Sequence, residues 1–298
     1  MATLYTHQSQ NIAKTWFLMT IFFVVVIALG WIASYLYDSS LILVFAVVFS
    51  IVMNIVSYWF SDKIVLSIAG AKPVSREENF ELYTIVENLS ITAGLPIPAI
   101  YKIDDPVPNA FATGRNKEHA VVAVTTGLLS IMNKNELEGV IAHELSHVGN
   151  RDILLSTIVV VLVGFITLIS DFLLRNTMFG RKQRGNSDVH PIMLIISIAL
   201  MILAPIIATL LKLAISRKRE FLADVSGALL TRYPEGLASA LSKLEEYGGV
   251  MKRANHATAH LYISNPFGAG KKISLWSRMF STHPPTAERI AALRDMRQ

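Results

Sequence analysis

Two apolar runs, residues 15–37 and 41–60, set the first constraint on this chain, because neither carries an internal charge and each is about 20 residues long, enough for a helix to cross a hydrocarbon core of ~30 Å. Backbone polar groups in lipid must be satisfied within the segment, so each run predicts a membrane-spanning helix. Only Asp38, Ser39 and Ser40 separate them, which folds the pair into a tight hairpin. Lys14 and Lys63 flank its outer ends and its turn has no basic residue, so the positive-inside rule puts both ends in the cytoplasm. The first run is longer than a signal-peptide core and a second follows at once, so it reads as a retained anchor.

Composition agrees. The hydrophobic share is 52% and the mean hydropathy +0.46, above the ~45–50% apolar content, glycine included, of ordinary soluble domains. A formal charge of +5 and a pI near 9.3 would suit a nucleic-acid binder, but the basic residues sit beside apolar segments as membrane-flanking charges do, and nucleic acid is not expected as a partner. There is no cysteine, so any metal must be held by nitrogen and oxygen.

Residues 139–152 read GVIAHELSHVGNRD. Leu137, Val140, Ile141, Leu145 and Val148 form an apolar stripe at helical spacing, and Asn135 with Glu138 offers a capping box at the start. On that helix His143 and His147 stack one turn apart, on the side away from the stripe, together with Glu144 and Arg151. Two imidazoles so placed can grip one zinc ion, and Glu144 can take a proton from a water at that ion. A third ligand is needed. Residues 216–232, SRKREFLADVSGALLTR, place Glu220 and Asp224 on one helical face just after an apolar segment. Glu220 is the first choice of ligand, with Asp224 placed to accept the ring N–H of a ligating histidine. His256 and His260 repeat the spacing, but Ala257 replaces the glutamate and the surrounding residues lack apolar phasing, so no second metal site is expected there.

Elsewhere, Ser75 with Glu78 makes a capping box for a helix that Gly94 stops. Short apolar runs at 99–103, 109–113 and 120–125, the last two joined by Gly114-Arg115-Asn116, predict a small sheet near the motif helix. An exposed edge of that sheet could hold a peptide by strand addition. Asn109, Ala110 and Phe111, continuing to Ala112, are the candidate substrate-binding residues, residues 120–125 the alternative, and plain core strands the bland reading of each. Residues 153–174 and 192–215 again reach spanning length, with Asp171 and Lys212 near their ends. Their connector, 175–191, holds Arg175, Arg181, Lys182 and Arg184, which conflicts with an external loop. A second spanning hairpin is the preferred reading and a hairpin only partly buried in the bilayer the other. The expected organisation is therefore a first membrane hairpin in 1–60, a peptidase domain in two parts, 61–152 and 216–298, and an apolar hairpin in 153–215 between them.

With HELSH, then EFLAD after two apolar segments, then THPPTAER, the chain resembles the HtpX family of membrane-integral zinc metalloproteases, more distantly related to proteases that process CAAX termini. The resemblance implies that His143, His147 and Glu220 hold one Zn2+ and that Glu144 is the general base. It assigns His283 to stabilising the oxyanion and places Arg289 nearby with Asp224 beneath the ligands. By itself, His283 before a proline pair reads as a turn residue. The resemblance further implies a multi-pass α-helical membrane protein with a cytoplasmic α+β peptidase domain in the bacterial inner membrane. Its substrates would be misfolded or damaged membrane proteins, it would be capable of cutting itself, and it would work beside an ATP-dependent membrane protease. No GxxxxGK[ST] loop occurs in the chain, so it should cleave without a motor of its own. A membrane zinc transporter would instead need ligands inside the spanning runs, which contain no histidine.

Overall fold

The computed structural model describes residues 4–36, 38–165, 217–255, 257–268 and 284–296. Helix α1, Leu4–Leu36, starts well before the predicted residue 15 because nothing in residues 4–14 breaks a helix. At 33 residues it is ~50 Å long, more than a bilayer core requires. Its partner α2, Ser40–Trp59, returns after a turn in which Asp38 takes φ 48° and Ser34 Oγ donates to the Ser39 carbonyl at 2.9 Å. The two helices touch at Gly30, where an added Cβ would lie 2.2 Å from the Ala46 Cβ, so only glycine allows this approach. Trp16, Phe17, Trp31, Leu41, Phe45 and Val48 point away from the protein. In the spans Ser9–Tyr35 and Ser40–Trp59 only 22% and 17% of the apolar window is covered by protein, the pattern of a lipid-facing surface.

Helix α3, Ser61–Ala69, is closed by Gly70 at φ 68° and leads into strand β1, Ala71–Pro73. Helix α4, Phe80–Ala93, ends at left-handed Gly94 as expected, but its cap is Asn79, whose side chain accepts from the Leu82 amide. Ser75 and Glu78 do exchange hydrogen bonds; they close the turn before the helix rather than its first turn. Strands β2 (Ala99–Ile103), β3 (Ala110–Gly114) and β4 (Ala120–Thr125) complete a sheet in the order β1-β2-β4-β3. Parallel pairing of β2 with β4 and antiparallel pairing of β3 with β4 leave β4 in the middle, buried along its length. Residues 120–125 therefore cannot be the free edge, and β3 is the strand beside the motif helix.

Short α5, Thr126–Ile131, precedes the motif helix α6, Lys134–Gly149, whose capping box is Asn133 with Glu136 and not Asn135 with Glu138. Tertiary partners decide between the two registers. The Glu136 carboxylate also meets Ser239 Oγ and Lys243 Nζ, both at 2.6 Å, whereas Glu138 stays at the surface beside Lys134. These hydrogen bonds hold the Glu136 pKa below its ordinary value against the opposing effect of burial.

The predicted stripe of α6 is buried, and so are His143 and Glu144 on its other side. That second face is covered by α8, Arg217–Thr231, and part of α6 by α9, Pro234–Tyr247. Close approach of α8 rests on Gly227, where an added Cβ would lie 2.9 Å from the His143 backbone nitrogen. After α6 the chain bends by 84° into α7, described over Asp152–Phe165, with Arg151 left-handed at φ 57°. Residues 153–155 and 158–163 of α7 are buried by protein, so their apolarity serves the core here. The remainder of the predicted second hairpin, including the basic connector 175–191, lies outside the described residues. So does His283, which precedes the last helix, α10, Thr286–Asp295.

Candidate metal centre

Packing of α8 on α6 brings Glu220 to the two motif histidines. His143 Nε2 and His147 Nε2 are 3.2 Å apart, Glu220 Oε2 is 3.9 Å from the first, and Oε1 is 3.6 Å from the second. Among the described residues these three form a group whose ligand atoms all lie within 4.8 Å of one another. Tetrahedral zinc with ligands at 2.0–2.1 Å separates them by about 3.3 Å, so the set fits such an ion with small side-chain adjustments.

Each imidazole is held from behind by a carboxylate. Asp224 Oδ1 lies 2.9 Å from His143 Nδ1 and Asp152 Oδ2 3.2 Å from His147 Nδ1. His147 Nδ1 is hydrogen-bonded to Asp152 and His143 Nδ1 faces Asp224 at contact distance, outside hydrogen-bond alignment, so that both Nε2 atoms face the centre, the arrangement a metal requires of histidine. Asp224 is itself gripped by Arg289, whose Nε and Nη2 donate to its two oxygens at 2.8 and 2.7 Å. Nη1 of the same guanidinium donates to the Ile263 carbonyl at 3.3 Å and stands 3.8 Å from Glu220 Oε2. Asp224 and Arg289 are both 2% exposed. Burial opposes both charges, but their mutual attraction outweighs it, lowering the Asp224 pKa and raising that of Arg289.

Glu144 is 1% exposed, and its Oε1 is buried without a hydrogen-bond partner among the described residues. The Ala112 amide donates to the carboxylate. Burial, which His147 offsets only partly, pushes the Glu144 pKa up to about 7. His147 is half-buried, which opposes its charge, yet the Asp152 hydrogen bond and the Glu220, Asp152 and Glu144 charges raise its pKa to about 9, while burial keeps that of His143 low. A surplus of negative charge around His147 and an orphaned carboxylate oxygen beside it both suit a cation with a water.

The cavity here is lined by Ala112, Glu144, His147, Glu220, His260 and Tyr262 among others. Of β3 only Ala112 reaches it. Asn109 instead staples the 257–268 segment, donating to the Ser264 carbonyl at 2.8 Å and accepting from the Ser264 amide. The Ala110 carbonyl accepts from the Ile263 amide at 2.9 Å, and the Phe111 ring packs edge-on against Tyr262 with centroids 5.1 Å apart. These three residues build the wall behind the cavity and do not line it. Asn109 pairs with Thr125 through the backbone, so alternation along the antiparallel ladder turns Ala110 and Ala112 to the outer edge. His260 is bonded through Nε2 to the Ser156 carbonyl at 3.1 Å and is not part of the His143–His147–Glu220 group; His256 lies outside the described residues.

Ala112, at the end of the candidate edge strand, does reach the cavity, whereas Asp152 is not singled out by the sequence. Asp152 follows His147 by five residues across a left-handed turn, a geometry that no periodic pattern announces; its acidity just beyond a helix end was the only available signal.

Residues 76–297 match the model of Peptidase family M48. A protease HtpX homolog of Caldanaerobacter subterraneus is 43% identical over 299 residues, covering 99% of this chain and 98% of its own. One of Pyrococcus furiosus is 50% identical over 254 residues, covering 85% and 86%. The crystal structure of Ste24p from S. mikatae aligns with a TM-score of 0.51 at 19% identity, over 96% of this chain and 64% of that one, a likeness of fold. The ExxxD helix packed on the HExxH helix is thus the frame of a known peptidase group, and the chain belongs to peptidase family M48 and, within it, to the HtpX family.

Proposed function

We propose that the chain is a membrane-bound, zinc-dependent endopeptidase, with His143, His147 and Glu220 as the ligands of one Zn2+ and Glu144 as the general base. The observation that carries this reading is the His–His–Glu group beside a buried carboxylate oxygen that has no partner among the described residues. Zinc bound there would acidify a water and polarise the scissile carbonyl. Glu144, with its raised pKa, takes the water proton and delivers it to the leaving amine. Asp224 and Asp152 keep the imidazoles oriented, and Arg289 keeps Asp224 in place. His283 is assigned to the oxyanion on the THPPTAER resemblance. The Ala112 carbonyl on the outer edge of β3 would accept from the backbone of a peptide laid beside it, a contact that does not depend on side-chain identity.

The substrates we propose are misfolded or damaged membrane proteins cut in accessible loops, with self-cleavage as a side reaction and an ATP-dependent membrane protease as the functional partner. Lys14, Lys63, Arg151, Arg217, Lys218 and Arg219 near the membrane ends favour the bacterial inner membrane with the site in the cytoplasm. The direct test is to purify the full chain in detergent with a chelator, restore zinc, and follow cleavage of an unfolded protein. Cleavage should return with zinc in the wild type and stay absent in Glu220→Ala, which should also lose the metal. Full metal content in Glu220→Ala would exclude Glu220 as a ligand, and metal-independent cleavage would overturn the mechanism.

A further inference from the structure

The turn behind His147 is held from the membrane anchor. Between α6 and α7 the chain passes through Arg151 at φ 57°, a left-handed conformation that is strained for a residue with a side chain. This turn swings Asp152 back over the end of α6, so that Oδ2 reaches His147 Nδ1 at 3.2 Å. Something must hold it there, and the side-chain amide of Asn11 bridges it: Nδ2 donates to Asp152 Oδ1 at 2.7 Å and to the Asn150 carbonyl at 3.3 Å. The two acceptors flank Arg151. Arg219 Nη1, at 3.5 Å, is a longer contact to the same Oδ1.

Asn11 lies on α1, at the end where that helix exceeds the length a bilayer needs. It is 4% exposed, as are Asn150 and Asp152, so water cannot take over its hydrogen bonds at little cost. Its position is set independently by packing further along α1, where Leu18 shares a core with Leu155 and Val159, and Met19 and Phe22 share another with Leu154, Ile158 and Leu162. An apolar helix has thus kept one buried amide, at the point where it meets the turn carrying the carboxylate behind His147.

We propose that Asn11 is a positioning residue of the metal centre: its amide fixes the left-handed turn 150–152 and so holds the Asp152 carboxylate on the His147 ring. The membrane anchor then tunes the peptidase site as well as tethering it. The inference rests on the reading of His147 as a metal ligand.

The test uses the full chain in detergent, with zinc affinity measured by competition against a chromophoric chelator and the visible spectrum recorded after loading with Co2+. Asn11→Leu, which fills the space without donating, and Asn11→Asp, which keeps the shape and loses both N–H groups, should each weaken zinc binding by about tenfold, the lower end for groups beyond the ligands. Both should shift the Co2+ spectrum. In an Asp152→Ala background Asn11→Leu should change affinity less than about twofold, because the group it acts through is gone. A purely structural role would lower the melting temperature of the metal-free protein yet leave the affinity of the folded fraction and the Co2+ spectrum unchanged; that result overturns the proposal. Additive effects of Asn11→Leu and Asp152→Ala would overturn it too, as would failure of both Asn11 variants to fold. His147→Ala separates the two levels: if it binds zinc like the wild type, the ligand reading itself is lost, whereas lost zinc there with unchanged Asn11 variants leaves the centre standing and removes only Asn11.

Discussion

Glu144→Gln is expected to leave the chain folded and metal-loaded while cleavage of an unfolded protein falls by about 10²–10⁴-fold or more, the contribution of a positioned general base. The substitution keeps the shape, and the Ala112 amide can still donate to the remaining oxygen. What is lost is the ability to accept a proton. The stability consequence has a definite sign. In the metal-free protein burial raises the Glu144 pKa from 4.5 to about 7, so folding disfavours the ionised form, and stability falls as pH rises through that interval. The amide of the variant cannot ionise, so the metal-free variant should melt no lower than the wild type at pH 8, and near the wild type at pH 4. Metal analysis, melting curves at the two pH values and the cleavage rate decide the matter; a wild-type rate in Glu144→Gln would remove this carboxylate from the mechanism.

The parts of the site that were legible in the sequence are those written at helical spacing. His143 and His147 are one turn apart on α6, and Glu220 and Asp224 one turn apart on α8, so each pair is fixed by local geometry before any packing occurs. Gly94 marks a helix end because a left-handed residue there favours glycine. The cap of α6 was displaced by two residues for a reason outside the local window: Glu136 finds Ser239 and Lys243 on α9. Hydropathy leaves another point open, since residues 153–155 and 158–163 are as apolar as a lipid-facing run and are covered by protein. Transfer to lipid and transfer to a core are driven alike, and composition cannot separate them. Asp152 and Asn11, more than 130 residues apart, meet only once α1 has packed on α7.

Arg289→Leu should be the most destabilising single change near the centre. Both forks of the guanidinium lie on Asp224, 2.8 and 2.7 Å away, and both residues are 2% exposed. Removing one partner leaves a buried carboxylate beside His143 without its countercharge, a loss of about 3–5 kcal/mol. Asp224 has a lowered pKa in the wild type, so its contribution is fully present above the unfolded value near 3.8 and disappears as pH falls through the folded value. The gap in melting temperature between wild type and Arg289→Leu should therefore be widest at neutral pH and narrow on acidification. Zinc affinity should drop about 10–100-fold as the carboxylate behind His143 loses its anchor. Arg289→Lys restores the charge without the planar fork and should recover only part of either loss. Adding Asp224→Asn to Arg289→Leu removes the stranded charge, so the double variant should be more stable than Arg289→Leu alone while binding zinc no better. Wild-type stability in Arg289→Leu at neutral pH would mean that neither the pair nor the bond to the Ile263 carbonyl holds the centre, whereas a destabilised single variant with a double variant no more stable would leave the Ile263 bond as what Arg289 contributes.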